Sequence, residues 1–283
     1  MDNILVPYDF SKQSEFALQQ AVNLARRISS RIVLLYVNET PGIISALFGT
    51  KLSDEMIEKI NDHLDSVAAR ISLRESVYVE ASLQNGRIYT TIVKTADEMN
   101  SKFIVMGTRS SDGIDPERKR MMGANTSRVI RSANCPVITI SGSSHYNGCR
   151  SILLPMDLTK ETKQKVQRAI EFAKLYDAQI RAVSAVRESD KEAIERLNEQ
   201  MNLVKNIITA ENVKCEAEII KTVDGEKAIV PAILNYAREK NDVDLIMIMT
   251  QQEHPVLDFF VGSHAQEFIR SSEIPVISII PQE

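Results

Sequence analysis

The stretch from Phe103 to Ile130 reads FIVMGTRSSDGIDPERKRMMGANTSRVI, and its character changes twice along its length. An apolar, strand-like run ends at Gly107, a charged loop follows, and a helical pattern of apolar residues begins after Gly123. A glycine at a strand end lets a ligand approach the backbone, and a helix start presents unpaired N–H groups with a partial positive charge. The stretch therefore predicts a strand, a loop and a helix that together form an anion-binding site, for which phosphate is the natural ligand.

The same pattern occurs a second time, 139 residues later. The sequence Ile-Arg-Ser at 130–132, followed by Pro-Val-Ile at 136–138, is repeated at 269–271 and 275–277. An internal repeat of this length predicts two domains of the same fold, as does the total of 283 residues. We place the domains at residues 1–141 and 150–283, joined by a turn-rich linker at 142–149.

Composition excludes several classes of protein. The net charge of -4 and the pI of about 5.7 provide no basic surface for nucleic acid, so we expect no nucleic-acid partner. No apolar stretch approaches the roughly 20 residues of a membrane span, and a predicted strand begins at once without a signal peptide. We therefore expect a cytoplasmic protein that does not bind a membrane.

The residue types that carry catalysis and metal binding do not form recognisable patterns. The three cysteines, Cys135, Cys149 and Cys215, include no Cys-x-x-Cys pair and no histidine at metal-ligand spacing, so they are expected to be buried thiols. The sequence also contains no P-loop, kinase or dinucleotide signature, and no spacing that indicates a nucleophile with its base. We therefore predict no catalytic residue and no metal ligand.

Five apolar strands alternate with four helices in each half. The predicted strands lie near 4–7, 31–37, 77–83, 103–106 and 136–140, and near 152–156, 179–185, 214–221, 244–249 and 274–280. Ser11 is the expected N-cap of the first helix, and Asn85-Gly86 is expected to form a turn. This alternation predicts an open, doubly wound parallel sheet, in which a ligand binds beyond the carboxyl ends of the strands.

Several short motifs recur in a fixed order along the chain. They are Ile4-Leu-Val-Pro-Tyr-Asp-Phe-Ser11, Leu34-Leu-Tyr-Val37, Ile104-Val-Met-Gly-Thr108, and Gly123 followed by Pro136-Val-Ile138, with Ile152-Leu-Leu-Pro-Met-Asp-Leu-Thr159 as the second copy of the first. In their order and spacing they resemble the universal stress protein family in its tandem two-domain form. The resemblance covers essentially the whole chain. It implies two Rossmann-like domains of the adenine nucleotide alpha hydrolase type, each with strand order 3-2-1-4-5 and helices on both faces.

Many members of that family bind ATP, and the resemblance implies where a nucleotide would lie. Asp9 and the backbone at Val37 would face the nucleoside, while Gly107, Gly123 and the amides that follow would hold the phosphates, with Mg²⁺ accompanying a triphosphate. The candidate binding residues are Pro7, Asp9, Val37, Met106, Gly107, Arg109, Ser110, Gly123, Ala124, Asn125 and Thr126.

The first half departs from the family's nucleotide pattern, which is Gly-x-x-Gly, nine residues, then Gly-Ser or Gly-Thr. Three extra residues lie between Gly107 and Gly123, Ser110 stands at the second glycine, and Ala124 replaces the hydroxyl residue. Asn125, Thr126 and Ser127 remain alternative sources of that polar group. The loop between the two glycines has four basic and three acidic residues, a net charge of +1 that favours a phosphate.

The second half has lost more of the pattern. Met249 and Gln252 occupy both early glycine positions, and only Gly262-Ser263 remains. Side chains at those positions would obstruct the backbone approach that glycine permits, and the loop carries a net charge of -2 from Glu253 and Asp258. We expect no nucleotide there, and we expect Asp157, the counterpart of Asp9, to be structural.

Three functions remain open at this stage. The first is a regulatory, non-catalytic module that binds ATP or another adenine nucleotide in its first domain and acts on an unidentified protein partner. The second is an interaction scaffold that needs no nucleotide. The third, slow ATP hydrolysis, lacks an identifiable base. Asp9 could equally well do no more than form a hydrogen bond with the start of the first helix. The apolar fifth strand of each half is expected to pair with its counterpart within one chain, as a pseudo-dimer, or between chains in a homodimer.

Overall fold

The computed structural model describes residues 2–39, 54–108, 122–141, 148–156, 162–187, 191–222, 228–250 and 263–281. The chain divides into two compact units, residues 1–145 and 146–283. Most of the proposed linker, residues 142–147, lies outside the described residues.

Unit 1 alternates strands and helices from its first described element to its last. Its elements are β1 (Asn3–Pro7), α1 (Lys12–Ile28), β2 (Arg31–Glu39), α2 (Asp54–Glu75), β3 (Val79–Gly86), α3 (Ile88–Glu98), β4 (Ser101–Gly107), α4 (Ala124–Ser132) and β5 (Val137–Ile140). The hydrogen-bonded order is β3-β2-β1-β4-β5, and the neighbouring strands run parallel. The ends of β1, β2 and β4 therefore lie together at one edge of the sheet, where the direction of winding reverses.

The central strand of unit 1 is apolar because both of its faces are covered. Ile4, Leu5 and Val6 are all 0% exposed, as expected for a parallel strand with helices on both faces. The helix that follows begins as predicted: the Ser11 side chain accepts a hydrogen bond from the Ser14 N–H and so caps α1. Ser29 ends that helix in the left-handed conformation.

Unit 2 repeats this arrangement. Its elements are β6 (Ser151–Pro155), α5 (Thr162–Tyr176), β7 (Gln179–Arg187), α6 (Lys191–Ala210), β8 (Cys215–Thr222), α7 (Ile229–Lys240), β9 (Val243–Met249), α8 (Ser263–Ser271) and β10 (Val276–Ile279). The strand order is β8-β7-β6-β9-β10. A register shift at Ser151 between β6 and β9 matches the one at Asn3 between β1 and β4. The α/β class with parallel, Rossmann-like sheets is thus confirmed.

The turn expected at Asn85-Gly86 is wrong, because these residues form the end of β3. Asn38 donates from Nδ2 to Oδ1 of Asn85 at 2.8 Å, and the parallel register extends to the pair Glu39 and Gly86. This cross-strand contact prolongs both strands beyond the apolar run from which their ends were predicted. The chain turns only after Gly86, whose φ of +154° suits a glycine.

No helix among the described residues is both long enough and apolar enough to cross a membrane.

Candidate functional site

A crevice of about 360 Å³ opens at the carboxyl ends of the central strands of unit 1. Three strand ends and the starts of three helices form its walls. The lining residues are Pro7, Tyr8, Asp9, Ser14, Leu35, Tyr36, Val37, Glu39, Ile88, Ile92, Met106, Gly107, Gly123, Ala124, Asn125 and Thr126. The volume lies within the range that small-molecule sites occupy, roughly 300–1,000 Å³.

Hydrogen bonds between its own polar groups stabilise the turn between β1 and α1. Oδ1 of Asp9 accepts a hydrogen bond from the Ser11 N–H at 3.1 Å, and the Ser14 hydroxyl donates to the Ser11 carbonyl at 2.9 Å. Asp9 therefore forms a hydrogen bond with the start of α1, which is one of the two roles considered for it from the sequence. It is also exposed and lines the crevice, so contact with a nucleoside stays a prediction.

The start of α4 presents unpaired backbone donors to the crevice. Gly123 is the N-cap, in an extended conformation, and no side chain caps the helix. Its own N–H donates to the Thr108 carbonyl at 2.9 Å, and the first helical hydrogen bond joins Ser127 N to Gly123 O at 3.1 Å. The N–H groups of Ala124, Asn125 and Thr126 consequently have no acceptor among the described residues. No acidic residue occupies this first turn, so its partial positive charge is not neutralised locally.

The Thr126 side chain holds α4 in this position. Its hydroxyl lies 3.2 Å from both the Gly107 and the Thr108 carbonyl oxygens, and the residue is 4% exposed. Thr126 is thus engaged with the end of β4. The Asn125 side chain remains the better placed of the two to meet a ligand, because Asn125 is only partly buried and has no such bond.

Part of the lining of the crevice is apolar. This part consists of Leu35 and Val37 of β2, Ile88 and Ile92 of α3, and Met106 of β4. The Phe10 ring packs edge-on against Tyr8, with centroids 5.2 Å apart, and lies 5.6 Å from Tyr36; both tyrosines also line the crevice. Phe10 has a φ of +63°, a strained conformation for a residue other than glycine. The packing of its ring offsets this strain and fixes the turn that carries Asp9. A flat, apolar group fits this end of the crevice.

The ionisable side chains of the described lining are two carboxylates and two phenols, from Asp9, Glu39, Tyr8 and Tyr36. Burial, with the nearby carboxylate of Glu15, raises the pKa of Tyr8 to about 12, so this phenol stays neutral at physiological pH. No group of three or more His, Cys, Asp and Glu residues in the described ranges is arranged to hold a metal ion. The lining suits binding through backbone donors and apolar contact.

The structure brings together most of the residues singled out from the sequence. Pro7, Asp9, Val37, Met106, Gly107 and Gly123–Thr126 all line the crevice, whereas Arg109 and Ser110 lie outside the described residues. The sequence analysis missed several members of the lining: Tyr8, Ser14, Leu35, Tyr36, Glu39, Ile88 and Ile92. Glu39 could have been found by continuing the alternation of β2 two residues beyond Val37.

Unit 2 differs at the equivalent places. Lys165 occupies the helix position that the fully buried Ala17 holds in unit 1. It is 5% exposed, and its Nζ donates to the Pro155 carbonyl at the end of β6, at 2.9 Å. Met249 ends β9, while Asp157, Gln252 and Gly262 lie outside the described residues. The absence of a nucleotide from this unit therefore stays a prediction.

Comparison with known proteins gives one consistent result. The model of the Universal stress protein family matches the chain twice, at residues 1–141 and 148–279. A universal stress protein of Methanocaldococcus jannaschii is 24% identical over 139 residues, which are 48% of this chain and 80% of that protein. One from Synechocystis is 29% identical over 139 residues, 48% of this chain and 83% of that protein.

A solved structure extends the likeness to both units. The crystal structure of a universal stress protein from Archaeoglobus fulgidus covers 98% of this chain and 98% of its own, with a TM-score of 0.74 and 22% identity. At that level of identity the similarity establishes the fold alone.

Proposed function

This chain belongs to the universal stress protein family, and from that premise we propose that unit 1 is a regulatory, non-catalytic module that binds an adenine nucleotide in its crevice. The resemblance found in the sequence suggested such a ligand, with ATP as the first candidate. The geometry of the crevice supports the proposal in two ways, one for each end of a nucleotide.

The observation that carries the proposal is the set of unpaired N–H groups at Ala124, Asn125 and Thr126, which open on the crevice. Uncapped amides at a helix start, with no carboxylate in the first turn, are suited to a phosphate group. The apolar wall of Val37, Ile88 and Ile92 suits the base. The two features line the same crevice, as binding of the phosphate and the base of one nucleotide would require.

Mg²⁺ would enter this site with the phosphates of ATP. This ion keeps most of its waters and is usually held by one or two carboxylates together with substrate phosphates. Of the carboxylates in the described lining, Asp9 follows β1, the strand next to β4, and is therefore the candidate contact for a hydrated ion.

The composition of the lining supports the non-catalytic part of this proposal. Its described residues include no histidine, lysine or cysteine, and its carboxylates have no neighbouring nucleophile and base arranged with them as a set. We infer that the bound nucleotide changes how the protein engages a partner protein in the cytoplasm. Self-association through the edge strands belongs to the same proposal, and sedimentation of the protein with and without nucleotide tests it.

The alternative, a scaffold that needs no nucleotide, is favoured by Ala124, which supplies no hydroxyl where the family pattern has one. Titration calorimetry of the full chain with AMP, and with ATP and Mg²⁺, separates the two functions. We expect saturable binding by the unaltered protein and at least ten-fold weaker binding by Gly123→Val. The backbone of Gly123, with φ of -61° and ψ of 144°, is in a region that valine also adopts, so we expect the added bulk to block the amides with no backbone strain.

The matched control is Gly262→Val, which alters the corresponding position of unit 2. It should leave the affinity unchanged. An unaltered protein that releases no saturable heat with either ligand would leave the scaffold as the function.

A further inference from the structure

Glu39 lines the crevice but has no partner among the described residues. It is the last residue of β2, it is exposed, and its cross-strand neighbour is Gly86, which has no side chain to offer it. The adjacent Asn38, on the other face of the strand, is paired with Asn85. The proposed anion site therefore contains a carboxylate whose oxygens accept no hydrogen bond from the part of the chain that the structure describes.

The order of the strands indicates which part of a ligand Glu39 meets. Across the sheet the order is β3-β2-β1-β4, with the phosphate donors at β4 and α4. A mononucleotide is an extended molecule, with its phosphate and its base at opposite ends. If the phosphate lies on α4, the sugar lies over the end of β1, at Asp9, and the base reaches β2 and α3. Val37 and Glu39 are two residues apart and share one face of β2, so both flank the base.

A carboxylate only accepts hydrogen bonds, and this restricts the bases that can lie beside it. Adenine presents an exocyclic amino group, which is a donor, whereas hypoxanthine presents an oxygen at the same position. We propose that Glu39 is a specificity-determining residue of the crevice: its carboxylate accepts a hydrogen bond from the exocyclic amino group of adenine and repels a base with oxygen there. This inference rests on the proposed function and adds to it the selection of the base.

The test compares AMP with IMP in calorimetric titrations of the full chain. Because Glu39 is exposed and water competes for its oxygens, we expect AMP to bind on the order of ten-fold more tightly than IMP. In Glu39→Gln the side-chain amide can accept from the amino group or donate to the oxygen, so the ratio of the two dissociation constants should fall to about one. Equal binding of AMP and IMP by the unaltered protein would overturn the inference and leave the proposed function intact.

Two controls separate base selection from other effects. Asp9→Asn removes the other carboxylate of the lining; it should change the affinities for AMP and IMP by the same factor and so leave their ratio unchanged. The ratio of AMP to 2′-deoxy-AMP should be the same in Glu39→Gln as in the unaltered protein. A change confined to that second ratio would place Glu39 beside the sugar and contradict the assignment. Failure of every nucleotide to bind the unaltered protein would remove both the proposed function and this inference.

Discussion

The Thr126 hydroxyl lies 3.2 Å from the Gly107 carbonyl oxygen, and this contact joins the first turn of α4 to the end of β4. The contact thus joins the strand that ends at Gly107 to the helix that begins after Gly123, the two segments from which an anion site was predicted. The side chain that was a candidate ligand contact instead fixes the position of the backbone donors. Thr126 is therefore a positioning residue for the crevice.

Replacing Thr126 with valine should lower both stability and affinity. Thr126→Val keeps the shape of the buried side chain but removes its hydrogen bond, which should cost about 1–2 kcal/mol in the free energy of unfolding. The amides of α4 should also be less well positioned, so AMP should bind more weakly. Urea denaturation and calorimetry of the full chain measure the two effects. Thr126→Ser retains the hydroxyl and should recover most of the affinity; if it binds no better than valine, the hydroxyl is not what positions the helix.

Placing a carboxylate at the start of α4 should change stability and binding in opposite directions. In Asn125→Asp the new charge interacts favourably with the helix dipole, which stabilises the fold by about 0.3–1 kcal/mol. The same charge competes with a phosphate for the amides and repels it, so the affinity for AMP should fall several-fold. Because stability rises while binding falls, unfolding cannot explain the loss.

Thr90→Asp is the control for this substitution. Thr90 is exposed in the first turn of α3, which also contains no acidic residue, and it does not line the crevice. Its replacement should give a similar gain in stability with little change in affinity. A similar loss of affinity in both variants would mean that net charge, and not the position of the carboxylate, governs binding.

The strands and the position of the crevice could be predicted because short segments of the sequence indicate them directly. Ile4, Leu5 and Val6 are apolar because the strand is covered on both faces, and Gly107 and Gly123 mark the two sides of one loop. The position of Glu39 in the crevice was missed, because β2 was expected to end at Val37. Its last two residues are ordered by pairing with β3, which is a tertiary contact.

Lys165 shows a different limit of sequence-based prediction. Lysine is seldom buried, and a lysine within an amphipathic helix is normally assigned to the solvent face. Its burial depends on the Pro155 carbonyl, which accepts from Nζ at 2.9 Å and belongs to a strand ten residues earlier. No periodicity in the helix itself indicates that contact.

Two of the glycines that the structure describes have a positive φ, and they allow steric and backbone costs to be separated. A Cβ at Gly86 would lie 2.5 Å from Oγ1 of Thr91, whereas a Cβ at Gly148 would meet no described atom within 4 Å. Gly148→Ala should therefore cost only backbone strain, roughly 1 kcal/mol, and Gly86→Ala should cost more, about 2–3 kcal/mol. Urea denaturation measures both.

Thr91→Ala provides the second half of this test, because it removes the atom that the new Cβ would meet. In that background Gly86→Ala should cost about as much as Gly148→Ala does alone, which gives a favourable coupling energy in the double-mutant cycle. Strict additivity of the two substitutions would show that the close contact is relieved in some other way.

The pairing of Arg181 with Asp242 should make the stability of unit 2 depend on pH. Arg181 donates from Nε and Nη2 to the two carboxylate oxygens of Asp242, at 3.0 and 2.7 Å, and its own side chain is 8% exposed. The hydrogen bonds from Arg181 hold the pKa of Asp242 below its usual range. A carboxyl whose pKa is lower in the folded state contributes its full stability above the unfolded pKa of about 3.9, and loses it as the pH falls through the folded pKa.

Asp242→Asn should therefore destabilise the protein at pH 7 and reduce its loss of stability between pH 5 and pH 2. An amide leaves one donor of the buried guanidinium facing another donor, so the cost at pH 7 should be about 2–4 kcal/mol. Glu171→Gln is the control, because it breaks an exposed pair with Arg168 and should cost less than about 0.5 kcal/mol at any pH. Urea denaturation across this pH range distinguishes the two variants. If the free energy of unfolding of Asp242→Asn and of the unaltered protein fell in parallel between pH 5 and pH 2, Asp242 would not contribute to the loss of stability in acid. The pKa of Asp242 would then be the same in the folded and unfolded states.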